Sequence, residues 1–362
     1  MKKIMMLANN SGGLYIFRRH LMEAFLQQGI EVDAYTPFSS RTEEMKEMGV
    51  HLVETPMDRR GMNPLHDFSL FRLYFRAMKK EKPDYVITYT IKPGIYGGLA
   101  ARLLRIPYAI NITGVGTAFQ KEGLLKTVAR NMYRTAARKA KVIFFENESD
   151  AQFFIGERIA TEEQTVVLHG AGVDLEHFTL LGYPKEKEPF NFLFVGRVMK
   201  EKGADELFEA MRRLHAEDCR CKLIIAGFLE EDYRERIEQY QEAGWLEFAG
   251  FTLDVRPFIE RAHCGILPSW HEGMSNTNLE CAACGRPLIT SDIPGCREAV
   301  IDQVTGILCK PKDTDSLYNA MKSMMALPDS SREQMGREGR KHMENIFDKR
   351  AVVEETIRHI NI

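Results

Sequence analysis

Residues 191–216, NFLFVGRVMKEKGADELFEAMRRLHA, hold the reading that decides the fold. An apolar run of strand length ends at Gly196, and an amphipathic stretch with helical spacing runs from about 203 to 216. Between them stand Arg197 and Lys202. The junction sets a guanidinium fork, an ammonium and the unpaired N–H groups of a helix start at one point, where a diphosphate is the natural guest. A solvated pair of surface cations is the competing account.

Outward from this unit the same alternation repeats. Downstream come KLIIAG, a helix near 230–243, LEFAG, a short helix near 254–262, CGILPS, LITSDI, GILCK, and helices near 315–326 and 331–345. Upstream, KIMMLA, EVDAYT, HLVETP, YVITYT, YAINIT, VIFFEN and TVVLHG alternate with helical patterns near 14–28, 41–48, 67–81, 94–104 and 121–140. Short apolar runs separated by helices predict parallel sheets covered by helices. The stretch LLGYPKEKEP fits neither period, so the linker is expected at 181–189. The expected domains are therefore 1–180 and 190–345, each Rossmann-like, with 346–362 a C-terminal helix packing back on the first. Ligands of open parallel sheets sit at the carboxyl ends of strands, so a cleft between the two domains is the expected site.

Composition agrees with a folded two-domain chain: 362 residues, 44% hydrophobic and 28% charged are enough for two cores and exclude disorder. The formal net charge of −2 is unevenly spread. Residues 1–180 carry 24 Lys and Arg against 20 Asp and Glu, and residues 181–362 carry 25 against 31. The basic half is suited to an anionic partner, a membrane surface included. No apolar run approaches the ~18 residues needed to span a bilayer. The start, MKKIMMLANN, turns polar too soon for a secretion signal and reads as a buried strand. All seven cysteines lie in the second half, an odd number that fits reduced thiols in a cytoplasm. Cys281 and Cys284 form a lone CxxC and Cys219 and Cys221 a CxC. No second pair at zinc spacing accompanies them, nor do His169, His263 and His271 stand at ligand spacing, so no metal is expected.

Glu272 and Glu280 bracket EGMSNTNLE. Eight residues are just over two helical turns, which predicts both carboxylates on nearly one helix face, placed to hold sugar hydroxyls. A competing account of Glu272 is a carboxylate at the positive end of the helix that follows. Ser11–Gly12–Gly13 follows the first strand, where a flexible backbone approaches phosphate or sugar, or simply turns tightly; the absence of GxGxxG argues against a dinucleotide. Arg18 and Lys92 are acceptor-side candidates for a phosphate, with ordinary surface charge as the alternative. Lys126, Arg130, Arg134 and Arg138 recur every four residues on one helix, a ladder suited to anionic headgroups or merely a solvated face.

Together GRVMKEKG, SWHEGMSNTNLECAACGRPLITSDIPGCREAV and TGILCKPKDTDSL resemble the consecutive signatures of retaining glycosyltransferases of family 4. The likeness is strongest over roughly 190–315, and SGG, TIKPGIYGGLAARL, TGVGTAF, ENESD and GVDLEHF extend it. The resemblance implies a GT-B fold and a UDP-sugar donor with no further cofactor. Arg197 and Lys202 would bind the diphosphate, Glu280 the ribose and Glu272 the transferred sugar, with backbone amides of Gly273, Met274 and Ser275 beside it. Gly12 and Gly13 would close over the donor. Many relatives have a histidine where Thr113 stands; threonine is no general base at neutral pH, so Thr113 is expected only to position the acceptor. The TIKP and TGVG pair resembles relatives that extend lipid-linked saccharides. The expected function is transfer of a hexose or N-acetylhexosamine to a polyprenyl-diphosphate-linked saccharide by a cytoplasmic enzyme peripheral on the inner membrane face, with no nucleic-acid partner. An epimerase or hydrolase on the same fold, and a non-catalytic binding protein, are the alternatives.

Overall fold

The computed structural model describes residues 1–58, 63–115, 124–185, 189–217 and 220–362. They form two compact units, Met1–Ala171 with Lys349–Ile362, and Gly172–Asp348.

In the first unit the chain runs β1 (Lys3–Leu7), α1 (Ser11–Gln27), β2 (Glu31–Thr36), α2 (Thr42–Glu47), β3 (His51–Glu54), α3 (Pro64–Glu81), β4 (Tyr85–Tyr89), α4 (Gly98–Leu104), β5 (Tyr108–Ile112), α5 (Leu124–Ala137), β6 (Val142–Phe145), α6 (Glu148–Gly156) and β7 (Thr165–Val167). All strands pair in parallel in the order β3-β2-β1-β4-β5-β6-β7. β1 shows how a period of two feeds both faces: Met5 and Leu7 enter one core and Ile4 and Met6 the other. The sheet order turns between β1 and β4, so the ends of these strands open a crevice. A π-helical turn, Pro93–Gly97, links the end of β4 to α4.

The second unit runs β8 (Phe190–Val195), α7 (Ala204–Ala216), β9 (Cys221–Ala226), α8 (Arg234–Glu242), β10 (Leu246–Gly250), α9 (Arg256–Arg261), β11 (Cys264–Leu267), α10 (Asn276–Ala283), β12 (Leu288–Ser291), β13 (Gly306–Cys309), α11 (Thr314–Ala326) and α12 (Asp329–Ile346). Its parallel sheet has the order β10-β9-β8-β11-β12-β13 and turns between β8 and β11. On β8, Phe190, Phe192 and Phe194 pack into one face's core while Leu193 enters the other. The last helix, α13 (Lys349–Ile360), returns to the first unit. There Val352 and Ile360 share a core with Ile4 and Phe25, and His359 meets the Phe144 ring edge-on at 6.3 Å.

The units divide at 171/172, ahead of the linker expected at 181–189. Arginines on the second unit hold the intervening segment. Arg340 donates to the carbonyls of Phe178 (2.6 Å) and Leu175 (3.4 Å). Arg286, fully buried, donates to those of Gly182 (2.7 Å), Leu181 (3.5 Å), Ile259 (2.8 Å) and Glu260 (3.3 Å). Burial pulls the Arg286 guanidinium below the usual arginine range. A segment with no helical or strand period is thus fixed by carbonyls that any sequence supplies, and its own side chains gave no sign of it.

Candidate functional site

In the second unit the carboxyl ends of β8 and β11, the two strands at the sheet's turning point, carry the charged residues singled out from the sequence. β8 leads to Gly196 and Arg197, then a 3-10 turn, Lys200–Lys202, before α7. β11 leads through Pro268, Ser269 and Trp270 to Glu272 and on to α10. The loops are joined by Trp270 N–H donating to the Glu201 carbonyl at 2.9 Å. Gly203 has φ +73°, and a Cβ there would lie 2.2 Å from the Pro268 oxygen, so the two loops close only with glycine at this position.

Lys202 and Glu272 form an ion pair in this junction, both side chains largely buried. The Ser269 hydroxyl donates to the same carboxylate oxygen, Oε1, at 2.7 Å. Neither the spacing from Lys202 nor the apolar context of Ser269 gave Ser269 away; its place just past a strand end was the only signal. Arg197 is 40% exposed, and its ionic partner is Glu230 at 3.7 Å, in the loop after β9.

Glu272 is not on a helix. α10 begins at Asn276, with Ser275 as its cap accepting from Asn278 N–H at 3.3 Å, so the argument that Glu272 and Glu280 share a helix face fails, and so does the capping account of Glu272. Glu280 alone is on the helix, half-buried. The Ser275 amide, expected beside the sugar, donates instead to the Gly295 carbonyl at 2.7 Å. Gly295 has φ +83° and passes so close that a Cβ would sit 2.6 Å from the Glu272 main-chain carbonyl oxygen. Met274 packs into the core and Gly273 precedes it in the loop. Two more bonds seat α10 on the strand ends: Thr277 Oγ1 donates to the Val195 carbonyl at 3.3 Å, and Asn278 Nδ2 to Thr290 Oγ1 at 2.9 Å.

Cys281 and Cys284, the CxxC, are buried on and just after α10. Burial pushes the Cys284 thiol up to about 12 and Cys281 well above its ordinary value. These are packing residues; Cys219 lies outside the described residues.

In the first unit, Gly12 and Gly13 open α1 after β1, but their amides are engaged. Gly13 N–H donates to Asn10 Oδ1 at 2.7 Å and Gly12 N–H to Ser39 Oγ at 3.2 Å. Arg18 is no surface charge: it is buried, pairs with Glu146 at 3.0 Å at the end of β6, and lies 4.9 Å over the Tyr89 ring at the end of β4. Lys92 likewise pairs with Asp67 of α3 at 2.7 Å, with both side chains mostly covered. Thr113 stands half-buried just past β5, and Gly116–Phe119 of the same motif lie outside the described residues. The basic ladder on α5 is partly spent inside the unit. Arg130 pairs with Glu157 at 3.1 Å, and Arg134 donates to the carbonyls of Glu157 (2.8 Å) and Arg158 (3.0 Å) past the end of α6. The side chain of Lys126 is outside those described.

The family model described as glycosyl transferases group 1 matches residues 182–342, and that of the glycosyl transferase 4-like domain matches 12–171. A galactosyltransferase of Escherichia coli, UDP-Gal:alpha-D-GlcNAc-diphosphoundecaprenol alpha-1,3-galactosyltransferase, is 31% identical over 70% of this chain and 69% of its own. The chain belongs to the group 1 glycosyltransferases. A second relative of this transferase, N,N'-diacetylbacillosaminyl-diphospho-undecaprenol alpha-1,3-N-acetylgalactosaminyltransferase of Campylobacter jejuni, is 23% identical over 87% of both chains. Among solved structures, Anabaena HepE in complex with UDP superposes with a TM-score of 0.81 over the whole of both chains at 15% identity, and the transferase has the GT-B fold those neighbours share. No helix among the described residues is long and apolar enough to cross a membrane.

Proposed function

We propose that this glycosyltransferase moves a hexose or N-acetylhexosamine from a UDP-sugar to the saccharide of a polyprenyl-diphosphate-linked acceptor, with retention at the anomeric carbon, at the inner face of the cell membrane. The observation that carries the reading is the Lys202–Glu272 pair, braced by Ser269 at the turning point of the second sheet. The UDP-Gal donor of the Escherichia coli relative, and the undecaprenol-diphosphate-linked acceptors of both relatives, support the choice of substrates.

In this reading Lys202 and Arg197 meet the diphosphate, and Glu280 accepts from the ribose hydroxyls. Glu272 accepts from a hydroxyl of the transferred sugar through Oε2, since Oε1 already takes both Lys202 and Ser269. The bond from the anomeric carbon to the β-phosphate oxygen breaks as the acceptor oxygen bonds to that carbon on the same face. The acceptor proton passes to the departing phosphate oxygen, so no protein base is needed and Thr113 serves at most to position the acceptor. Charge develops on the leaving diphosphate, and cations held in place before reaction stabilise it without reorganisation. These fixed cations take the part a divalent metal would otherwise play. Of the three amides expected near the sugar, that of Ser275, bonded to the Gly295 carbonyl, leaves this scheme.

The test is UDP release from a panel of UDP-sugars, with and without a lipid-linked acceptor and with chelator present, and NMR of the product's anomeric proton. Acceptor-dependent release that survives chelation and yields the donor's anomeric configuration is expected. Equal release without acceptor would point to hydrolysis and overturn the reading.

A further inference from the structure

Helix α3 carries a surface that neither the donor site nor the core uses. Its inner face buries Leu70, Tyr74 and Met78. At 100° per residue, Leu65, Phe68, Arg72, Arg76 and Lys79 fall within a stripe about 80° wide on the opposite side. Leu65 is 78% and Phe68 58% exposed, large apolar side chains for open water. Phe68 begins a run of rings, 6.4 Å to Phe71 and 6.0 Å from there to Phe75, and the Arg72 guanidinium lies 5.9 Å over Phe68. The stripe is therefore apolar at its start and basic at its end, over about 21 Å of helix.

The charges on α3 are sorted by side. Its acids are both matched, Asp67 with Lys92 and Glu81 with Lys3 and Lys80. Among the described residues, Arg72, Arg76 and Lys79 have no carboxylate partner. The stripe thus offers net positive charge beside exposed Leu and Phe, the combination that lays a helix in the headgroup layer of an anionic bilayer. A bilayer meets both halves of the stripe at once, its acyl boundary taking Leu65 and Phe68 and its phosphates taking the cations. α5, whose ladder looked more basic in sequence, has directed Arg130 and Arg134 to α6.

We infer that α3 is the membrane-docking element of this protein, with Leu65 and Phe68 entering the headgroup and acyl boundary of an anionic phospholipid bilayer and Arg72, Arg76 and Lys79 meeting lipid phosphates. The inference rests on the reading that the acceptor is lipid-linked, since such an acceptor has to be met at a bilayer. α3 also lines a cavity of about 470 Å³, bounded by Met57, His66, Asp67, Leu70, Leu73 and Lys92. The docking helix and the Lys92–Asp67 pair therefore border the same space.

Flotation of the full chain with phosphatidylglycerol–phosphatidylcholine vesicles, and with phosphatidylcholine alone, tests this. The wild type should float with the anionic vesicles and weaken with salt. R72Q/R76Q should weaken flotation by about 25-fold, at roughly fivefold per cation, and L65S/F68S should weaken it at unchanged salt dependence, both with wild-type circular dichroism and Tm. Flotation by the variants equal to wild type, or none by wild type, would overturn the inference. Transfer to acceptor dissolved in detergent separates the two readings: variants that keep it but lose transfer in vesicles support docking through α3. A wild type that floats yet transfers nothing in either form would sink the functional reading and leave docking standing.

Discussion

The two units present the same edge of a parallel sheet and spend their charges on it differently. In the second unit the cations past β8 meet partners that come from other loops of the same edge: Lys202 reaches Glu272, Arg197 approaches Glu230, and Arg197 stays 40% exposed. In the first unit Arg18 is sealed against Glu146 under Tyr89, Lys92 is locked to Asp67, and the Gly12 and Gly13 amides are already bonded. Burial pushes the Tyr89 hydroxyl up to about 12, consistent with a closed, apolar setting around Arg18. A charge that stays wet is available to a ligand, whereas a charge paired out of water mostly holds strands and helices in place. The comparison teaches that the second edge keeps one exposed cation, Arg197, whereas the first has covered both Arg18 and Lys92.

The sharpest way to break that contrast is at the Lys202–Glu272 pair. Lys202→Ala and Glu272→Ala should each lower acceptor-dependent UDP release by about 10²–10³-fold with an unchanged circular dichroism spectrum, the scale of losing one preorganised electrostatic group. Rates within tenfold of wild type would remove the pair from the chemistry.

Next in size is the dry cation of the second unit. Arg286→Met deletes a guanidinium whose donors satisfy carbonyls from two other segments, 181–182 and 259–260, and should destabilise that unit by about 3 kcal/mol in urea unfolding. The buried pair of the first unit follows. Arg18→Met should cost about 2 kcal/mol by leaving Glu146 without its cation, and adding Glu146→Gln should recover part of this, a coupling read from the double-mutant cycle. If Arg18→Met instead left stability intact and raised KM for acceptor, Arg18 would move from architecture to binding.

Smaller still is a chemical readout. Burial raises the thiols of Cys264, Cys281, Cys284, Cys296 and Cys309 above their ordinary range, the last to about 12. They stay protonated well past pH 8, so peptide mapping after iodoacetamide at pH 8 should show them unlabelled in the folded chain and labelled in urea. The smallest effect is expected on α5, where Arg130→Ala, half-exposed and paired with Glu157, should change stability by less than about 1 kcal/mol.

Much of the fold was legible because its signals are local. Apolar runs of five or so residues, helical periods between them and glycines at the turns located both sheets, and the NFLFVGR strand with Arg197 and Lys202 beyond it stands where expected. The errors share a cause. Placing Glu272 and Glu280 on one helix treated eight residues as continuous, whereas Ser275 starts α10 only after a loop that Gly295 packs against. Setting the linker at 181–189 relied on the absence of a period, although Arg286 and Arg340 tie 175–182 to the second unit through main-chain carbonyls.

By itself the sequence determined the alternation of strands and helices, the family, and which residue types stand at the strand ends, because periodicity and motif spacing are properties of neighbours along the chain. Only the tertiary structure decided which charges stay wet. Whether Lys202 meets Glu272, Arg18 meets Glu146, or Arg72 meets no carboxylate among the described residues depends on residues tens of positions away, and no local pattern encodes how far a side chain ends from water.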